Sequence, residues 1–305
     1  MSKYIVVALY KFVHLPNFEQ LQAPITKVCK DNGVMGTLLL AEEGINGTIA
    51  GSRAGIAAVL GFLKTYPEFV GLEHKESRAD EAPFYRMKVR LKQEIVTLGQ
   101  PDVDPNQKVG EYVDPKDWNA LLDDPDVVVL DTRNDYEVGI GAFKNAQNPR
   151  TTNFREFPEF VKKQLDPRKH KKIAMYCTGG IRCEKASSYM LAQGFEKVYH
   201  LKGGILKYLE TIPQAQSYWD GECFVFDQRV AVKHNLEVGS YDQCYGCRHP
   251  LSEEDKQSKL YKPGVYCHLC YEHRSEAQHQ RAQQRQQQMQ LAKKRNQVHL
   301  GQMPS

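Results

Sequence analysis

Residues 173–195, IAMYCTGGIRCEKASSYMLAQGF, decide the reading of this chain. An apolar run ends at Cys177, a loop with two glycines follows, and a helical pattern over 183–193 stops at Gly194. Strand, loop and helix in that order belong to a parallel α/β sheet, where ligands bind beyond the carboxyl ends of the strands. Glycine tolerates backbone conformations that other residues resist. The loop Thr178, Gly179, Gly180, Ile181 and Arg182 can therefore turn its N–H groups inward. Inward amides and a helix N-terminus make an anion-binding nest. A thiolate at its centre is stabilised, so its pKa falls below the ~8.5 of a free thiol. Arg182 adds a positive charge. Most lone cysteines in such folds are small buried hydrophobes, but this setting points to Cys177 as a catalytic nucleophile. Cys183, at the helix start, is either a resolving thiol or a packed first-turn residue.

Spacing narrows the chemistry. Cysteine phosphatases place five residues between Cys and Arg; here the arginine comes one step early and Cys183 holds the phosphatase position. Phosphatase chemistry is disfavoured. Around the loop lie a helix, DPKDWNALLDD, and a buried strand, DVVVLDTR, ending at Asp131 and Arg133. A helix FREFPEFVKKQL, the strand KVYHL and a helix from KGGILKYLETI complete the alternation. Asp131 and Arg133 read as a structural ion pair or loop-fixing pair rather than as reacting groups. This central domain spans 113–220.

Before it, residues 1–99 alternate differently. A strand at 4–13, a helix at 17–32 containing an awkward Pro24, and two strands within VMGTLLLAEEGINGTIAGS come first, joined near Glu43 to Gly47 with Asn46-Gly47 supplying the turn chemistry. A helix RAGIAAVLGFLKTY and a last strand in FYRMKVRLKQEIVTL follow. The order β-α-β-β-α-β is that of a ferredoxin-like α+β domain. Arg86, Lys88 and Arg90 share one face of the last strand, with Phe84, Tyr85 and Met87 among them. They suit RNA phosphates, although charged rows of this kind are usually just solvated sheet faces. Residues 100–112, with two prolines and no periodicity, read as a linker.

After the central domain, Cys244, Cys247, Cys267 and Cys270 stand as C-x2-C-x19-C-x2-C. Two such pairs supply four thiolates in tetrahedral geometry for structural zinc. The segment 221–275 has too few apolar residues for a core of its own, which favours a metal over four idle thiols. Residues 276–305 form a basic tail with ten glutamines, either a solvated helix or disordered.

Composition sets the outer bounds. The 305 residues are 41% hydrophobic and 26% charged, an ordinary globular balance for two or three domains. The net charge of +4 alone says little about nucleic acid. No apolar run approaches the ~18 residues of a membrane span, and the start of the chain lacks a cleavage site. A cytoplasmic protein without membrane contact is expected, and cysteines paired as C-x-x-C suit that compartment better as metal ligands than as disulfides.

The segments DTRNDYEVGIGAFKNA, YCTGGIRCEKAS and VYHLKGGI resemble a rhodanese domain, whose active loop is a cysteine plus five residues. Rhodaneses carry sulfur as a cysteine persulfide, and Cys177 is the position matching that role. The resemblance extends over about residues 1–275. AEEGINGTIAGS, PFYRMKVRLKQEIVTLG, the Cys177 loop and CYGCRHPLSEED…GVYCHLC occur in the order found in the rhodanese-containing tRNA uridine hydroxylases. That resemblance implies a multidomain α/β enzyme that installs a hydroxyl on C5 of the wobble uridine of tRNA with molecular oxygen. It also implies contact with the anticodon region and an unknown electron donor. No organic cofactor motif such as G-x-G-x-x-G is present, nor an H-x-D start of an iron site. Read alone, the loop points instead to a sulfurtransferase acting on a small acceptor or tRNA. A non-catalytic RNA-binding module is the third reading, disfavoured by an intact nucleophile loop.

Overall fold

The protein is described here from a computed structural model covering residues 3–295. The N-terminal domain runs β1 (Tyr4–Phe12), α1 (Phe18–Asp31), β2 (Met35–Ala41), β3 (Gly44–Gly51), α2 (Arg53–Leu63), β4 (His74–Ala79) and β5 (Met87–Leu91). The sheet order is β4-β1-β3-β2-β5. Its first four strands are mutually antiparallel in the ferredoxin-like order, and β5 is added parallel to β2. Apolar alternation in β1 to β3 places Val7, Leu9, Leu38, Leu40, Ile45 and Ile49 on one face, where they pack with Ile25, Ile56 and Val59 of the two helices.

Three expectations need correction here. The strand around Met87 is not the fourth strand but an added fifth at the opposite edge. The true β4, HKESRA, is polar and half-buried at an edge, so it carries no apolar alternation to betray it. The turn falls at Glu42 and Glu43, and Asn46 and Gly47 lie inside β3, where they pair with Tyr10 and Leu9 of β1. Met87 points into the helix-covered core, away from Arg86, Lys88 and Arg90.

The central domain follows as β6 (Glu111–Val113), α3 (Pro115–Leu122), β7 (Val127–Asp131), α4 (Asp135–Val138), β8 (Gly141–Phe143), α5 (Phe157–Gln164), β9 (Lys172–Tyr176), α6 (Ile181–Ala192), β10 (Lys197–Leu201) and α7 (Gly204–Thr211). Strands β6, β10, β9 and β7 form one parallel sheet in that order. Glu111 and Tyr112, expected as the end of the linker, already pair with β10, a short edge strand too small to show periodicity. Helix α6 begins two residues earlier than its apolar pattern, because Gly180 at φ +108° ends the loop there.

Beyond α7, short two-stranded pieces lead into the cysteine-rich module and then to α8 (Glu276–Lys294). Helix α8 is tied to that module: Arg285 donates to the carbonyls of Tyr245 and Gly264. The remaining tail, 296–305, lies outside the described residues. Among the described residues, no helix is long and apolar enough to cross a membrane.

Candidate functional site

Cys177 follows β9 and immediately precedes the loop that opens α6. It is 1% exposed, and its Sγ accepts the Gly180 N–H at 3.1 Å. Burial alone would push the thiol up. Hydrogen bonding from the Cys183 thiol and backbone, the Arg182 guanidinium and the Gly180 amide outweigh it, so the thiolate is favoured. Cys183, buried beside it and 3.4 Å from the Thr132 hydroxyl, is pushed the other way, first by burial and then by its thiolate neighbour.

Two further contacts set the loop. The carbonyls of Cys177 and Thr178 accept the N–H groups of Ile205 and Leu206 at 3.0 and 3.1 Å. That close approach requires Gly204, where an added Cβ would meet Cys177 O at 2.5 Å. On the other side Arg182 forms a bidentate pair with Glu137, 2.6 and 2.8 Å, and Glu137 is fully buried. Burial opposes the Glu137 carboxylate, but Arg182 holds its pKa below the usual range. A buried bidentate pair fixes geometry better than any exposed one. Glu137 was not visible as a functional residue in the sequence; its one signal is the capping box that it forms with Asn134 on a four-residue helix.

Asp131 and Arg133 form a separate, fully buried ion pair at 2.6 Å. Arg133 also donates to the carbonyls of Glu137 and Gly141 and lies over the Trp219 ring, 5.0 Å from its centroid. This pair braces the segment that carries Glu137 and does not touch Cys177 directly.

The helix-free face of the N-terminal sheet closes over the loop. Tyr10 donates to Glu184 at 2.7 Å, and Lys75 donates to the Gly179 carbonyl at 3.0 Å. Deeper in the interface, Lys185 of α6 is 1% exposed and bonded to Glu43 at 2.7 Å and to Glu94. Removing one partner of such a buried cluster typically costs about 3–5 kcal/mol, so the cluster clamps the two domains together. Between sheet and loop lies a cavity of about 420 Å³, within the usual range for small-molecule sites. Its walls are mostly apolar, with Cys177, Asn46, Thr37 and Thr48 among the lining residues. Phe226 also lines it, although 59% exposed, and the Arg182 guanidinium lies 5.9 Å from its ring centre.

Lys88 and Arg90 stand on β5, with Arg86 just before it, at the far edge of the same sheet, on the face that closes the cavity. Burial, then Arg86 and Arg90, and then Arg248 of the cysteine-rich module, lower the Lys88 pKa, so all four cations form one cluster. Tyr85 and Tyr245 both hydrogen-bond Gln228 beside it.

The four cysteines of the C-terminal module converge. Their Sγ atoms all lie within 4.8 Å of one another, with Cys244 and Cys270 at 3.8 Å and Cys247 and Cys267 at 3.7 Å. A tetrahedral ion with metal–sulfur bonds of ~2.3 Å requires sulfur–sulfur edges of about 3.8 Å. The set fits one metal ion.

Family models match in two places, a UPF0176 acylphosphatase-like domain over residues 4–95 and a rhodanese-like domain over 114–211. Three relatives run nearly end to end, each named tRNA uridine(34) hydroxylase. The protein of Rhizobium leguminosarum bv. trifolii is 59% identical, over 98% of this chain and 97% of its own length. That of Teredinibacter turnerae is 57% identical over 99% and 94%, and that of Agrobacterium fabrum 58% over 98% and 95%.

Proposed function

The chain belongs to the tRNA uridine(34) hydroxylase family, and we propose that it hydroxylates C5 of that uridine with Cys177 as the essential nucleophile. One observation supports the role of Cys177: it lines a cavity of about 420 Å³ that is large enough for a pyrimidine ring, and Cys183, Arg182 and the Gly180 amide around it favour its thiolate. A base in an anticodon loop is unpaired and can swing out into such a pocket. Phe226 at the cavity offers an aromatic face for stacking, which is worth about 1–3 kcal/mol per base. The cluster of Arg86, Lys88, Arg90 and Arg248 supplies phosphate contacts on the same sheet face.

In the reaction, C5 gains one atom of molecular oxygen, and the other leaves as water with two electrons and two protons from an electron donor. Cys183, buried in the same cluster, favours the thiolate at Cys177 and is the candidate thiol to resolve an oxidised Cys177. The four-cysteine module holds zinc, which shapes the surface carrying Arg248 and takes no part in the chemistry. This protein acts in the cytoplasm, where tRNA is its partner.

The test is mass spectrometry of tRNA nucleosides from cells lacking the protein, complemented with wild type or Cys177→Ala. Return of 5-hydroxyuridine derivatives with wild type alone is the expected result. Equal restoration by Cys177→Ala rejects the cysteine mechanism and favours a binding module. A fall in thiolated nucleosides instead identifies a sulfurtransferase, the reading that the loop taken alone favours.

A further inference from the structure

Three cations line the Cys177 cavity: Arg182, Arg229 and Lys75. Two are already neutralised. Arg182 is held bidentately by Glu137. Arg229 is held by Asp227, at 2.9 and 2.6 Å, and donates to Ser77 at 2.7 Å. Lys75 differs: among the described residues no carboxylate lies within ion-pair distance of its ammonium, whose hydrogen-bond partner is the Gly179 carbonyl, two residues from Cys177. The Tyr10 ring, 5.4 Å below, and the backbone of Gly203 hold the lysine stem in place.

Register puts this ammonium at one end of a row across the sheet. Lys75 pairs with Ala8, Ala8 with Thr48, Thr48 with Thr37, and Thr37 with Lys88. At about 4.8 Å per strand, Lys75 and Thr37 are ~14 Å apart, with small residues between them. The floor formed by Ala8, Thr48 and Thr37 lines the same cavity as Lys75 and Cys177 and is long enough for a flat ring.

We propose that Lys75 is a catalytic residue, the cation that stabilises negative charge on the uracil when Cys177 attacks it. The inference rests on the hydroxylase reading above. The step balances without an oxidant. The thiolate forms a bond to C6, the C5=C6 electron pair moves to C5 and onto O4 as an enolate, and the Lys75 ammonium donates a hydrogen bond to that oxygen. C5 thereby becomes the nucleophilic carbon that hydroxylation needs. Loss of a proton from C5 and expulsion of the thiolate later restore the ring and Cys177. A preorganised donor aimed at developing charge in a water-poor site typically changes rate by 10²–10³.

Addition alone can be watched. If a solvent deuteron adds to C5 and the original proton leaves on reversal, anaerobic D₂O exchanges the C5 hydrogen of uridine 34 with no oxygen or reductant present. The experiment uses the full-length protein with its metal and an unmodified tRNA transcript. Wild type should exchange the C5 hydrogen, Cys177→Ala should not, and Lys75→Met should exchange at least 100-fold more slowly with tRNA affinity unchanged. Lys75→Arg should recover part of the rate, which separates a charge role from a packing role. Exchange by Lys75→Met at the wild-type rate overturns the proposal, as does a loss confined to tRNA affinity. Absence of exchange from a wild-type preparation that hydroxylates the same tRNA in air also overturns it, while leaving the hydroxylase reading intact.

Discussion

The chain contains two cysteine sites that use the same atom for opposite ends. At 244, 247, 267 and 270, four sulfurs converge, all within 4.8 Å of one another and three pairs at 3.7–3.9 Å, and no cation or helix N-terminus is needed to explain them. At 177, one sulfur is kept apart from that cluster and surrounded by donors: the Gly180 amide, Cys183 and Arg182. A thiolate among other thiolates asks for a metal; a thiolate among hydrogen-bond donors and a guanidinium is stabilised without one. The element is the same, and its neighbours decide the chemistry.

The largest expected effect breaks this comparison from the structural side. One zinc per chain should be released by a strong chelator, or never bound in Cys267→Ser, and the segment around 240–275 should lose its amide protection against exchange. Apparent binding free energies of structural zinc reach roughly 10–16 kcal/mol in small modules, so the loss should be complete rather than partial. Four cysteines that protect their segment equally well without metal would refute the assignment. Cys177 should stay as reactive as before.

A smaller effect sharpens the contrast at Cys177. A lowered pKa means that the thiolate persists as pH falls. The rate of iodoacetamide modification at Cys177 should therefore already be on its plateau at pH 7, where a free thiol of pKa ~8.5 is still rising. A titration midpoint at or above 8.5, followed by mapping of the modified peptide, contradicts the role of the Gly180, Cys183 and Arg182 donors.

The smallest effect concerns the surface that joins the two sites. Arg90→Ala should weaken tRNA binding modestly and reduce the slope of log affinity against log salt by about 1. An unchanged slope removes that residue from the RNA interface.

Much of this was legible in the chain itself. The Cys177 loop, the paired cysteines and the helices α1, α2, α6 and α7 announce themselves locally, through glycine placement, C-x-x-C spacing and apolar periodicity. Strand β4 did not, because an edge strand with polar residues on both faces leaves no periodic trace. Asn46-Gly47 carried a turn signal that the register overruled: a two-residue turn at Glu42 and Glu43 lets β3 begin earlier and places Asn46 on the cavity wall.

The composition of the site is where sequence reading stops. Tyr10, Lys75, Glu137 and Phe226 are ordinary residues in ordinary local settings, separated by up to 216 positions from Tyr10 to Phe226. Nothing within one strand or helix says that β1 and β4 cover a loop that opens a helix in another domain. Local pattern determined that Cys177 opens a glycine-bearing strand-to-helix loop and that four further cysteines pair with metal-ligand spacing, because backbone conformation and ligand spacing are short-range properties. Only the tertiary structure decided that the sheet of the first domain roofs the Cys177 loop of the second, because burial of Lys185 against Glu43 and Glu94 fixes a long-range pairing that no short-range rule contains.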